Sequence, residues 1–128
     1  MKLLDVAKAY MELEKLAEKE LPLKVSYYVD KAIRQLHNPF NFYANKEIEL
    51  VQKHEPVERR GSEVRFATDE ITAKYNEEHK ELDEIEEDIT IKPIEINIDT
   101  NVGISRKSLK VLMDLNIVKI IGLEGTDD

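Results

Sequence analysis

The chain has 128 residues, of which 41% are apolar and 36% charged, with 19 Lys and Arg against 27 Asp and Glu and a formal charge of −8. That length accommodates one domain around one core, and the negative balance argues against direct nucleic-acid binding, which relies on clustered Lys and Arg to neutralise phosphates. With no cysteine there is no disulfide framework or thiolate nucleophile, and Met1-Lys2-Leu3-Leu4-Asp5 opens no apolar run of signal or membrane-span length, so a cytoplasmic protein is expected.

From Leu3 to about Glu20 the apolar residues Leu3, Val6, Ala7, Tyr10, Leu13, Leu16 and Ala17 recur at the three-and-four spacing of a helix with one buried stripe. Pro22 ends this helix, because it pushes Leu21 out of helical conformation, and it suits the first position of the next. The second stripe runs through Val25, Val29, Ile33 and Leu36 and resumes as Phe40, Tyr43, Glu47, Leu50 and Val51. The spacing predicts a helical hairpin with almost no loop, whose long second helix is kinked or briefly broken at Asn38-Pro39 and reaches about Lys53.

Pro56 stops that helix, and Val57 to Phe66 read as a small hairpin turning at Gly61-Ser62, with a loop as the alternative because its apolar content is thin. Thr68 or Asp69 caps a third helix with Ile71, Tyr75, Leu82 and Ile85 on a narrow apolar face. Its other faces are acidic: Glu77 to Asp88 hold eight carboxylates and a single base, Lys80.

Isoleucines then alternate from Ile89 to Ile98, the period of a half-buried strand, with a change of phase at Pro93 that predicts a bulge or bend and an edge position. Ser105 caps a short helix carrying Leu109, Leu112 and Met113, Asn116 fits its left-handed exit, and Ile117 to Ile121 form a closing strand before a frayed tail. The expected fold is therefore α+β in one domain spanning 1–128. An N-terminal helical hairpin with a long kinked second helix carries a third, acidic helix, and a small C-terminal β element holds one short helix. The helical part covers about 1–87 and the β-rich part about 88–121. Its core is expected from Val6, Tyr10, Leu13, Leu16, Val25, Val29, Ile33, Leu36, Tyr75 and Leu82.

No motif for catalysis emerges. His37, His54 and His79 are scattered; His79 and Asp83, four apart, share a helical face but lack the converging third and fourth ligands a metal needs. Only four glycines exist, and neither a phosphate-cradling Gly loop nor a nucleophile elbow is present, so the residues indicate neither an enzyme nor a bound cofactor. What remains is surface chemistry. Glu77, Glu81, Glu84, Glu87 and Asp88 make an acidic face for a basic partner, or a mimic of nucleic-acid phosphates, against the default of a solvated exterior. Arg59, Arg60 and Arg65 form the one basic patch, suited to a carboxylate or phosphate, or to pairing with the acidic helix within the chain. Phe40, Phe42 and Tyr43 cannot share one side of a helix, which puts Phe42 on the surface as a candidate partner contact.

The run Leu21-Pro22-Leu23-Lys24-Val25-Ser26-Tyr27, with Lys31, Ile33 and Leu36 after it, resembles a stretch of small uncharacterised proteins of phages and prophages of Gram-positive bacteria. Glu49-Leu50-Val51-Gln52-Lys53-His54 is similar to their long charged helix, and Ile104 to Leu115 to their closing Leu-rich helix. Asn38-Pro39-Phe40 and the Ile117 to Ile121 ending depart from that pattern. The resemblance implies action inside a bacterial host cell, on a host or phage protein, and supplies no site residues. The functional expectation is a non-enzymatic protein-binding module, a phage accessory or counter-host factor acting through a charged face. The alternatives are a structural or assembly component of a phage particle, for which self-association would be the mark, and a small-ligand-binding protein using the cleft between helical hairpin and β element.

Overall fold

In a computed structural model describing residues 1–60, 63–100 and 103–122, the first amphipathic stripe becomes helix α1, Leu3–Ala17, which buries Leu3, Val6, Ala9, Leu13 and Leu16. No side chain caps its start. The Leu3 N–H instead donates to the Ile85 carbonyl at 2.8 Å, while the Met1 amino group donates to the Glu87 carbonyl at 2.9 Å and the Glu87 N–H to the Met1 carbonyl at 2.7 Å. The segment that follows the third helix thus satisfies amide groups that a helix start leaves orphaned.

Residues 18–22 connect α1 to α2, Leu23–Lys53, so the hairpin has a short loop where almost none is expected; α1 stops at Ala17, well before the proline. Pro22 stands just outside α2 and its carbonyl accepts the first helical bond, from the Ser26 N–H at 2.9 Å. Over 31 residues α2 runs through Pro39 without a break. Packing on both sides of the proline accounts for this: Leu36 is buried just before it, Tyr43 just after, and the Phe40 ring stacks on Tyr10 at 4.2 Å with the planes 16° apart. These contacts keep the helix unbroken although the proline removes one helical hydrogen bond.

The central hairpin forms, with β1, Glu58–Arg60, antiparallel to β2, Glu63–Arg65; its turn at Gly61-Ser62 lies outside the described residues. Thr68 caps α3, Asp69–Asp83, its hydroxyl accepting from the Ile71 N–H at 3.1 Å while Asp69 and Glu70 complement the positive end of the helix. Thr68→Ala is expected to lower stability by about 1 kcal/mol in a urea titration at constant m-value.

Of the isoleucine-rich stretch only β3, Ile94–Asn97, is a strand; residues 89–93, expected to belong to it, lie outside any strand although Ile91 is buried. Pro93 has no N–H to give a ladder, and pairing begins at the next residue, where the Ile94 N–H meets the Ile117 carbonyl at 2.8 Å. β3 pairs in parallel with β4, Val118–Ile121, in the register Ile94↔Val118 to Asn97↔Ile121. Helix α4, Arg106–Asp114, makes the crossover, capped by the Ser105 hydroxyl accepting from the Ser108 N–H at 3.1 Å and left through Asn116 at φ 59°.

The architecture is α+β: a helical hairpin, a third helix on its long arm, and a small parallel β element with one short helix. One core joins them, with Val6, Leu13, Leu16, Val29, Leu36, Ile96, Leu112 and Ile117 almost fully buried. Of the predicted core residues, Tyr10 and Ile33 pack half-buried at its edge, whereas Tyr75 stands apart from it against Phe66, ring centroids 4.8 Å apart. No helix among the described residues is long and apolar enough to cross a membrane.

Candidate functional site

The C-terminal half of α2 and α3 lie side by side and antiparallel, since Tyr43 meets Asp83, Glu47 meets His79 and Lys53 meets Glu78. Along this seam a polar network forms. The Tyr43 hydroxyl donates to Asp83 Oδ1 at 2.6 Å, His79 Nδ1 lies 3.2 Å from Asp83 Oδ2, and His79 Nε2 lies 2.8 Å from Glu47 Oε2. Aromatic rings extend it: His54, whose side chain is 8% exposed, meets Phe66 and Tyr75 edge-on at 6.0 and 6.1 Å, and its Nε2 is 3.4 Å from Glu78.

Burial disfavours the charged imidazole of His79, but its hydrogen bond to Glu47 and the negative charges of Asp83 and Glu47 outweigh that, so its pKa is raised. Burial and the bond to Asp83 likewise push the Tyr43 phenol far above its ordinary range. Both ring nitrogens of His79 are engaged by carboxylates, so the His79–Asp83 pair holds two helices together instead of offering open ligand positions; no cluster of three or more metal-ligating side chains occurs among the described residues.

A group whose folded pKa is raised stabilises the fold fully below its unfolded value, ~6.5 for histidine, and that contribution fades as pH rises through the folded value. The urea midpoint is therefore expected to fall between pH 6 and pH 8 more steeply in the wild-type protein than in His79→Gln. Equal slopes for the two would contradict the clamp.

Beside the network, on the surface of the same seam, lies a shallow groove of about 590 Å³ walled by Phe42, Lys46 and Leu50 of α2, by Glu81 and Leu82 of α3, and by Ile85, which the sequence reading puts on the helix but which lies just past its end. Phe42 is 46% exposed and Ile85 43%, while Leu82 is buried in the groove floor. Phe42 is thus on the surface as the sequence reading expects, its ring 5.7 Å from the Lys46 ammonium. Lys46 pairs with Glu49 and Lys53 with Glu78, both at 2.9 Å, so the cations at the rim are largely neutralised.

The other predicted contact residues divide in three. Glu77, Glu81 and Glu84 fall at helical spacing along the exposed side of α3, with Glu84 as its C-cap, and none has an ion pair among the described residues. Glu87 and Asp88 lie beyond the helix end, in the segment whose backbone is tied to Met1, and so do not continue its acidic face. Arg59, Arg60 and Arg65 sit on the hairpin, where Arg60 and Arg65 reach Glu58 of that hairpin at 2.9 and 3.5 Å; among the described residues no ion pair joins them to α3. Cross-strand register explains the preference, since Glu58 stands directly opposite Arg65.

Comparison with models of known protein families, with curated proteins and with solved structures finds no match to this chain. Its function has to be read from its own geometry.

Proposed function

We propose that the protein is a binding module for another protein, with the groove between α2 and α3 as its docking surface and a basic segment bearing an apolar anchor as the element it receives. The observation that carries this reading is the pairing of two exposed apolar side chains, Phe42 and Ile85, across a floor of Leu50 and Leu82, with Glu81 at the rim and Glu77 and Glu84 in line with it. An aromatic anchor next to uncompensated charge is the composition of an interface centre with a steering rim. Because Lys46 and Lys53 already have carboxylate partners, the charge left to attract a partner is negative, which favours a basic one over an acidic one. The resemblance to small phage and prophage proteins supports reading such a module as an accessory or counter-host factor in the cytoplasm of a bacterial host cell.

The test is affinity capture from a Gram-positive bacterial lysate at low and high salt, with the wild-type chain and the variant Glu77→Lys/Glu81→Lys/Glu84→Lys in parallel. A protein bound by the wild type at low salt, released at high salt and absent from the variant supports the reading. A partner retained equally by the variant removes the acidic face from it.

A further inference from the structure

A second groove lies on the other half of α2, away from the docking surface, between the first turns of that helix and the strand β3. Its main chamber encloses about 320 Å³, at the lower end of the ~300–1,000 Å³ range of small-molecule pockets. Val25, Tyr28, Pro93 and Ile121 give it apolar walls, and Lys24 and Lys92 enter from opposite sides. A smaller chamber of about 110 Å³ continues it along α2, sharing Tyr28 and Lys92 and adding Lys31. Lys24, Tyr28 and Lys31 recur at four and three residues on one helical face, so the two lysines of α2 stand about 10 Å apart along the axis.

The charge of this groove runs against that of the chain. In a protein of net charge −8, the ammonium groups of Lys24, Lys31 and Lys92 make no ion pair or hydrogen bond among the described residues. One carboxylate, Glu95, also lines the main chamber, against the two ammonium groups of Lys24 and Lys92. The balance left in the groove is positive. Lys92 and Pro93 just before β3, Glu95 and Asn97 on its exposed side and Ile121 at the end of β4 put the chamber along the face that this strand pair turns to the start of α2.

We propose that this groove binds a small organic anion with a flat apolar body, its ring lying against Tyr28 between Val25 and Pro93 and its carboxylate or phosphate group held by Lys24 and Lys92. The apolar walls supply area for the body, and two exposed, unpaired ammonium groups at the rim supply recognition of the anionic end. Neither feature alone selects the ligand: inorganic anions gain nothing from the walls, and neutral aromatics nothing from the lysines.

Four probes separate these contributions: 2-naphthoate, 2-naphthyl phosphate, the neutral 2-naphthylmethanol and inorganic phosphate, titrated into the isotope-labelled full chain and followed by amide chemical shifts. The expected result is that at least one naphthyl anion binds about tenfold or more tighter than both the alcohol and inorganic phosphate. Shifts should concentrate at residues 22–31 and 92–97, and the stronger of the two anions identifies the preferred head group. Lys24→Glu/Lys92→Glu, which alters only exposed side chains, is expected to keep its amide spectrum and melting temperature while losing that binding. Equal binding of the alcohol, equal binding of inorganic phosphate, shifts centred elsewhere, retention of binding by the double variant, or no binding at millimolar concentration would each overturn the proposal.

Discussion

Leu36→Ala is expected to destabilise the protein by about 2–5 kcal/mol, a large part of the ~5–15 kcal/mol that holds a domain of this size. Leu36 is fully buried in the α2 stripe that also contains Val29 and Ala32, one turn before the proline in mid-helix. Its truncation removes transfer free energy and leaves a cavity at the point where a hydrogen bond of α2 is already missing. Leu23, on the same helix but 88% exposed, supplies the control, since Leu23→Ala is expected to change stability by less than about 0.5 kcal/mol. Urea titrations of the two variants measure the contrast, and similar midpoints would mean that the α2 stripe is not the core of the fold.

The second large effect is expected at Asp83. Its two oxygens serve two partners, the Tyr43 hydroxyl and His79 Nδ1, so Asp83→Ala leaves the hydroxyl of a buried tyrosine and one nitrogen of a half-buried imidazole without a partner, while His79 Nε2 keeps Glu47. Leaving buried polar groups unpaired costs about 1–3 kcal/mol, more than the lost bonds are worth while they are made. The loss should be greater at pH 6 than at pH 8, because the variant removes a negative neighbour of an imidazole that is more fully protonated at the lower pH. Tyr43→Phe removes only one of the two partners, and a double-mutant cycle between positions 43 and 83 should give a coupling of about 0.5 kcal/mol or more. A cost for Asp83→Ala no larger than that of Thr68→Ala, with no dependence on pH, would show that the seam is held by its apolar contacts alone.

Much of the architecture is legible in the sequence because it is encoded locally. The stripes of α1 and α2, the Thr68 and Ser105 caps and the left-handed Asn116 each follow from a few neighbouring residues. Of the kink or short break expected at Pro39, the break does not form, because the force that keeps α2 continuous is not local: it comes from Tyr10, stacked on Phe40 from thirty positions away in the chain, and from the packing of Leu36 and Tyr43. Residues 89–93 mislead in another way, since alternation of isoleucines specifies which side is buried, as Ile91 is, but does not supply a partner strand.

The site was readable only in fragments. Phe42 and Glu81 each stand out, one as an aromatic residue with no room on the buried face and the other within a run of acids, but their meeting in one groove depends on how α2 and α3 pack. The clamp left a faint trace: Glu47 is a carboxylate in the middle of an apolar stripe, and His79 and Asp83 are one helical turn apart. Nothing local says that those two features face each other. The three lysines of the second groove are similarly dispersed in a strongly acidic chain, and only the approach of residues 90–97 to α2 gathers them.

Whether the α2–α3 groove receives a partner's apolar anchor is decided by the affinity of the captured partner for Phe42→Ala. Phe42 makes little contribution to the core, so the variant should melt within about 2 °C of the wild type. Its dissociation constant is expected to rise at least about tenfold, as for an aromatic residue at the centre of an interface. A dissociation constant within about twofold of the wild type, for a variant that remains folded, would contradict it.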